Sequence, residues 1–121
     1  MTQQQLLALI LRGHLIVVGE YRGGRAEAAG YVDQRTGEAI KYVRAIFLVE
    51  CRCRGVIDRA IIRQKRVGIE NPEEVAFPLE KGKHYAFFLE GFKIERGQFS
   101  GWMGEREPEP IEGSEEACGA P

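Results

Sequence analysis

The sequence predicts a small, mainly β protein with one short helix near its N-terminus. Apolar and polar residues alternate over most of the chain, and glycine or proline separates the alternating stretches, which is typical of strands joined by turns. About five strands can be recognised and no strand–helix–strand alternation is present. This pattern fits a small antiparallel barrel or a sandwich, and at 121 residues a five-stranded OB-like antiparallel barrel is the best single expectation.

Length and composition indicate one soluble domain. The chain of 121 residues can bury one modest core, and 44% hydrophobic with 29% charged residues is ordinary for a globular protein. The apolar run 6–11 is far shorter than the ~20 residues that span a bilayer. Its flanking residues, Gln3–Gln5 and Arg12–His14, differ from those of a signal peptide. We therefore expect a cytoplasmic protein without a membrane contact.

The formal net charge of −1 conceals two different regions. Residues 105–121 contain six glutamates against one arginine, a net charge of −5, whereas residues 1–104 contain 16 cationic and 12 acidic side chains, a net charge of +4. Because residues 105–121 include almost no apolar residues, we expect them to form a disordered acidic tail. Residues 1–104 are expected to form the folded domain. A mildly basic domain is compatible with nucleic acid binding.

No catalytic or metal-binding motif can be recognised. The three cysteines include no CxxC pair, and the two histidines, His14 and His84, are far apart in sequence. The spacing of Cys51 and Cys53 places them on one face of a strand, which is typical of small core residues in a reducing compartment. We therefore predict that the protein is not an enzyme and that it has no metal or cofactor.

The N-terminal third combines a helix, a strand and a basic segment. Thr2 is a candidate helix cap and Gly13 a candidate helix stop, and a strand over Leu15–Tyr21 follows. Residues 22–41 are predicted to form a flexible basic wing that ends in a small hairpin. The turn of that hairpin uses Asp33 and Gly37.

The next two strands place cations on their outer faces. Alternation over Lys41–Cys53 assigns one set of residues to the core, namely Val43, Ala45, Phe47, Val49, Cys51 and Cys53. It assigns a second set to the outer face, namely Tyr42, Arg44, Ile46, Leu48, Glu50 and Arg52. After a turn at Arg54–Gly55, the strand Val56–Val67 carries Arg59, Arg63 and Lys65 on one face. A single row of cations is commonly a solvated face or a protected edge, but two neighbouring rows favour a functional surface.

The stretch 82–103 is rich in aromatic residues interleaved with Lys93 and Arg96. After a loop over Gly68–Pro78, we predict a strand over His84–Leu89, a bend at Gly91 and a hairpin with its tip at residues 96–98. Tyr85, Phe87 and Leu89 are assigned to the interior. Phe99 lies beside the glycine turn, where a base is a plausible stacking partner. Phe88, Phe92 and Trp102 are left unassigned, and burial of all these aromatics in the core is the alternative.

One part of this stretch resembles a known family. Residues 82–93 (GKHYAFFLEGFK) followed by 97–99 (GQF) are similar to the final third of the gene V-type single-stranded DNA-binding proteins of filamentous phages, and a weaker likeness covers 19–54, including Lys41 and Tyr42. The resemblance implies an OB-type barrel, a homodimer, and cooperative coating of single-stranded DNA during phage or related replication. It also implies base stacking by Phe99 and Tyr42 and phosphate contacts by Arg22, Arg25 and Arg35. The N-terminal leucine-rich segment, the long 54–78 region and the acidic tail depart from the family.

Residue pattern and resemblance together predict sequence-non-specific binding of single-stranded DNA, with RNA as a possible substitute. The predicted contact residues are Arg22, Arg25, Arg35, Lys41, Tyr42, Arg44, Arg52, Arg63, Lys93, Arg96 and Phe99. The alternative is a small barrel that buries its aromatic patch and leucine-rich N-terminus against a protein partner. Aromatics and cations that share one groove favour nucleic acid, and a dry aromatic patch rimmed by charge favours a protein.

Overall fold

In the part of the chain that the structure, a computed structural model, describes, one α-helix, one 3-10 turn and six strands form the regular structure. The structure describes residues 1–53 and 56–111, with the backbone alone at residues 3, 52, 53 and 56–58. The elements are α1 (Gln3–Leu11), β1 (Leu15–Val32), β2 (Ala39–Cys53), β3 (Val56–Arg66), a 3-10 turn (Pro72–Glu74), β4 (His84–Glu95), β5 (Gln98–Met103) and β6 (Glu109–Pro110).

Five of the strands close into a barrel. Their order is β1-β2-β3-β5-β4, and β4 pairs back onto β1. Each of these pairings is antiparallel except the one between β3 and β5, which is parallel and is reached through the 67–83 connection and β4. The predicted mainly β fold, a five-stranded OB-like barrel with a short N-terminal helix, is confirmed, with one parallel pairing that the sequence pattern did not indicate.

Helix α1 covers one part of the outer barrel surface. Thr2 caps it through a capping box with Gln5, and Gly13 follows the helix end with φ of +87°, which confirms the predicted start and stop. Leu6 is buried, and a second apolar cluster forms between the helix and the outer faces of β1 and β4. Its buried members are Leu6, Ile16, Val18, Ala86 and Phe88.

The predicted inward residues of β2 and β4 lie in the interior, but Ile46, which the alternation assigned to the outer face, is buried as well. Val43, Ala45, Phe47 and Val49 of β2 are buried, as are Tyr85 and Phe87 of β4. The ring of Phe47 lies 5.5–6.3 Å from the rings of Tyr21, Phe77 and Phe87, with tilted or edge geometries that aromatic pairs prefer. Phe77 belongs to the connection that closes one barrel end, together with Val75 and Leu79.

The predicted flexible wing is instead mostly regular strand. Residues 22–32 continue β1 and pair with β2 from Ala39 to Leu48, after a register shift between Tyr21 and Gly23. The predicted hairpin turn is confirmed, because Gly37 N–H donates to Asp33 O at 2.7 Å and Gly37 has φ of +73°. The local sequence, rich in alanine and glycine, gives little strand signal, but the strongly alternating β2 supplies a partner for it.

The ordered chain extends beyond the predicted boundary at residue 104. Glu109 and Pro110 pair with Ala86 and Tyr85 of β4, and the N-terminal ammonium group donates to Pro110 O at 3.0 Å. Residues 105–111 are therefore attached to the barrel. The rest of the predicted acidic tail, 112–121, and the predicted turn at Arg54–Gly55 lie outside the described residues. No helix in the described ranges is long and apolar enough to cross a membrane.

Candidate nucleic-acid interface

A concave groove of about 720 Å³ lies on the outer barrel surface, and residues from all five barrel strands line it. Three aromatic and four cationic side chains line it, together with two carboxylates, Glu90 and Glu95. The aromatic residues are Tyr31, Tyr42 and Trp102, and the cationic residues are Arg44, Arg63, Lys65 and Lys93. The groove therefore offers flat apolar surfaces and net positive charge in the same place.

Strand register brings these side chains together. Residues directly opposite each other on paired strands project from the same face of the sheet. Arg44 of β2 is opposite Lys65 of β3, and Arg63 of β3 is opposite Trp102 of β5. The two cationic rows predicted on β2 and β3 thus lie side by side, and β5 adds an aromatic residue next to them.

Trp102 is the largest aromatic surface of the groove, and Gly91 positions it. A Cβ atom on Gly91 would lie 2.4 Å from Trp102 Cζ2 and 2.7 Å from Cε2, so the indole packs directly against the β4 backbone. The residue is nevertheless 43% exposed. An indole held against a strand with its remaining surface open to solvent is a suitable platform for a base.

Tyr42 forms the second aromatic element of the groove. Its ring is tilted by 58° against the ring of Tyr31 at a centroid distance of 6.2 Å, and Lys65 Nζ lies 5.2 Å from its centroid. These contacts restrict the ring of Tyr42 and hold a cation beside it. The combination can accept a base and an adjacent phosphate.

The four groove cations differ in their partners. Arg44 donates two hydrogen bonds, of 3.0 and 2.7 Å, to Glu27 Oε1, and Lys93 Nζ lies 3.0 Å from Glu95 Oε1. Arg63 donates through Nη1 to the hydroxyl of Ser100. Within the described ranges no carboxylate pairs with Arg63, so its charge is oriented by a neutral group and remains available for an anion.

A second concavity of about 340 Å³ adjoins the same face at the far end of β2 and β3. Arg22, Glu50 and Arg59 line it, and together with Glu20, which pairs with Arg22, they are called here the Glu50 cluster. The hydrogen bond from Arg22 to Glu20 and the charge of Glu50 raise the pKa of Arg22 above its usual value. Both arginines of the cluster thus already have carboxylate partners, Glu20 and Glu50 for Arg22 and Glu50 for Arg59.

Only some of the predicted contact residues lie together in the groove. Tyr42, Arg44, Arg63 and Lys93 line the groove, and Arg22 belongs to the Glu50 cluster. Four predicted cations are exposed elsewhere: Arg25 on β1, Arg35 in the β1–β2 turn, Lys41 on β2 and Arg96 in the β4–β5 turn. The side chain of Arg52 lies outside the described residues.

Phe99 is not among the residues that line the groove. It is half-buried, packs against the barrel core and stacks on Phe92 with a centroid distance of 5.3 Å and an interplanar angle of 14°. Strand β5 begins right after the turn, so Phe99 lies on the same face as the buried Met103, and Trp102 lies on the groove face. The alternation of Phe99, Gly101 and Met103 against Ser100 and Trp102 was the signal in the sequence that could have assigned Trp102 to the groove.

Comparisons with known proteins do not identify a family for this chain. No family model, no curated protein and no solved structure matches the chain. The resemblance to gene V-type proteins therefore stays a prediction. Among the residues that the structure describes, no group of three or more His, Cys, Asp or Glu side chains is arranged to hold a metal ion.

Proposed function

We propose that this protein binds single-stranded DNA without sequence preference in the groove on β2, β3, β5 and β4. One observation carries the proposal: Trp102 and Tyr42 share a single concavity with Arg44, Arg63, Lys65 and Lys93. Aromatic faces stack on any base, and cations beside them contact the phosphates, which is how sequence-tolerant binding of single strands is achieved.

The groove residues have separate tasks in this proposal. The indole of Trp102 supports one base, and the ring of Tyr42 supports another. Arg63, which a serine hydroxyl rather than a carboxylate orients, contacts a phosphate between them. Because stacking discriminates weakly among bases, the result is affinity with little sequence preference.

The resemblance extends the proposal to a biological role. It suggests coating of single-stranded DNA in the cytoplasm during replication of a phage or a related replicon, by a homodimer. This extension depends on residues 82–99 and not on the groove, so it can fail while the binding proposal holds.

A titration with oligo-dT at two salt concentrations tests the binding proposal. Trp102 is the only tryptophan of the chain, so quenching of the intrinsic fluorescence reports directly on the groove. We expect saturable quenching that weakens as salt rises, because bound phosphates release counterions. An absence of saturable binding at low salt, also in a variant that ends at Ile111 and lacks the remaining acidic residues, would refute the proposal.

Two matched arginine variants sharpen this test. Arg63→Gln should reduce the slope of log K against log salt by about 0.7, the value for one lost contact to a single strand. Arg12→Gln removes an equal charge from the end of α1, outside the groove lining. It should leave the slope nearly unchanged, and equal effects of the two variants would argue against a defined groove.

The alternative function is docking to a protein partner, and the helix provides the observation that favours it. Leu7 and Leu11 are 56% and 78% exposed on α1, although leucine is usually buried. If docking is the main function, the protein should show no salt-dependent binding of oligo-dT. Leu7→Gln together with Leu11→Gln should then abolish an association that sedimentation velocity detects.

A further inference from the structure

We propose that Arg22 and Arg59 form a second phosphate-binding subsite at the end of the groove, and that Glu50 occupies this subsite in the free protein. The inference rests on the proposed binding of single-stranded DNA. It goes further because it names a phosphate contact beyond the main groove and identifies Glu50 as the residue that weakens this contact. Its ligand is a backbone phosphate of the same strand.

Glu50 stands between two guanidinium groups in the position of a bound anion. Its Oε1 lies 3.9 Å from Arg22 Nε and 3.8 Å from Arg59 Nε, so one oxygen faces both cations and neither distance is that of a hydrogen bond. The strand register fixes this arrangement, since Glu50 on β2 is directly opposite Arg59 on β3. The carboxylate thus lies close to both arginines without a hydrogen bond to either one, while Arg22 Nη1 also donates to Glu20 Oε2 at 2.8 Å.

Exchange of this carboxylate for a phosphate is easy. The side chain of Arg59 is 79% exposed and that of Arg22 is 51% exposed, whereas that of Glu50 is 22% exposed. Because both arginines reach into solvent, their ion pairs with the half-buried Glu50 contribute little in water. A phosphate offers two free oxygens to guanidinium groups, whose fork of donors can bind them in pairs, so it can compete for both arginines.

The subsite is continuous with the main groove. Ile61 lines the second concavity and is directly opposite Ser100, which lines the groove. From Arg63 to Arg59 the chain of β3 advances four residues, about 13 Å at the usual rise of a strand. A DNA strand whose base stacks on Trp102 and whose phosphate contacts Arg63 can therefore place one of its next phosphates between Arg22 and Arg59.

Glu50→Gln tests the subsite, because it removes the charge and keeps the shape. We expect the affinity for oligo-dT to rise about two- to fivefold at low salt, in keeping with the small contribution of exposed ion pairs. The slope of log K against log salt should steepen by up to about 1.4, the value for two further phosphate contacts to a single strand. An unchanged affinity and slope would overturn the inference.

A double-mutant cycle separates the subsite from a general charge effect. In an Arg59→Gln background the gain in affinity from Glu50→Gln should fall by at least half, because the vacated site then retains only Arg22, which also pairs with Glu20. Glu95→Gln serves as the matched control, since Glu95 lines the groove beside Lys93, and any gain it gives should persist in the Arg59→Gln background. If the gain in affinity from Glu50→Gln is equally large in the Arg59→Gln background, the subsite is refuted.

The outcomes distinguish this inference from the proposed function. If the unaltered protein binds oligo-dT and Glu50→Gln does not strengthen binding, the subsite alone is refuted. If neither the unaltered protein nor Glu50→Gln binds oligo-dT, the proposed function fails and the subsite fails with it. A thermal melt of each variant checks that the barrel is retained, which the exposed position of the two arginines leads us to expect.

Discussion

Substitution of Gly91 by alanine tests whether Trp102 is held in place by the strand beneath it. The new Cβ would lie 2.4 Å from Trp102 Cζ2, 2.7 Å from Cε2 and 3.1 Å from Nε1. Since carbon atoms pack at about 3.5–4.0 Å, the indole has to move by about 1 Å or more. It can do so towards the groove because the residue is 43% exposed.

The expected loss of affinity follows from the value of one base stack. A stack on an aromatic side chain contributes about 1–3 kcal/mol, and a displaced indole should lose part of it. We expect oligo-dT to bind about tenfold more weakly, which corresponds to about 1.4 kcal/mol. Gly91 does not have a positive φ, so alanine fits the backbone, and the crowding should lower the free energy of unfolding by less than about 2 kcal/mol.

The assay uses a labelled oligo-dT and fluorescence anisotropy, so that binding is measured independently of the tryptophan. The emission maximum of Trp102 reports the displacement in the same samples. In a Trp102→Ala background, Gly91→Ala should cause no further loss of affinity and should stabilise the fold by about 0.4–1 kcal/mol, the usual gain at a compatible glycine. A loss of affinity that Gly91→Ala causes equally in both backgrounds would refute the reasoning.

Three further predictions concern stability. Arg96 has φ of +52° in the β4–β5 turn, where asparagine is better tolerated, so Arg96→Asn should raise the free energy of unfolding by about 0.5–1 kcal/mol in urea melts, and a decrease would contradict the turn geometry. Thr2→Ala removes the capping hydroxyl of α1 and should lower the free energy of unfolding by about 1 kcal/mol, whereas Thr2→Ser should lower it much less. Burial and the neighbouring Tyr85 raise the pKa of Tyr21, so the contribution of Tyr21 to stability should be constant below about pH 10, where the unfolded phenol is neutral, and fall as pH rises above it. Tyr21→Phe should reduce that fall, and an equally steep fall in this variant would exclude Tyr21 as its cause.

Elements with a local signal could be predicted from the sequence. Thr2 and Gly13 bound the helix because capping and left-handed conformations depend on the residues themselves. The inward face of β2 follows from alternation because its residues are apolar, whereas the burial of Ile46 on the outer face does not follow from it. The hairpin at Arg96–Gly97 follows from a glycine between two alternating stretches.

The features of the fold without a local sequence signal depend on pairing between strands that are distant in the sequence. The continuation of β1 to Val32 has a weak local signal, and its partner β2 supplies the hydrogen bonds that keep it extended. Alternation places Trp102 and Phe99 on opposite faces of β5, but the pairing of β5 with β3 decides which of these faces adjoins the cationic rows. That pairing joins residues about forty positions apart along the chain, which no local pattern contains.

The same division applies to the candidate site. Cationic rows on two strands, a lone tryptophan and a basic domain are properties of the amino-acid sequence, and they suffice to suggest a nucleic-acid ligand. Closure of the barrel placed Arg63 beside Trp102 and Glu50 between Arg22 and Arg59. Local alternation selects the face on which a side chain lies, but only the folded sheet selects its neighbours, because neighbours across strands are set by hydrogen-bond register and not by position along the chain.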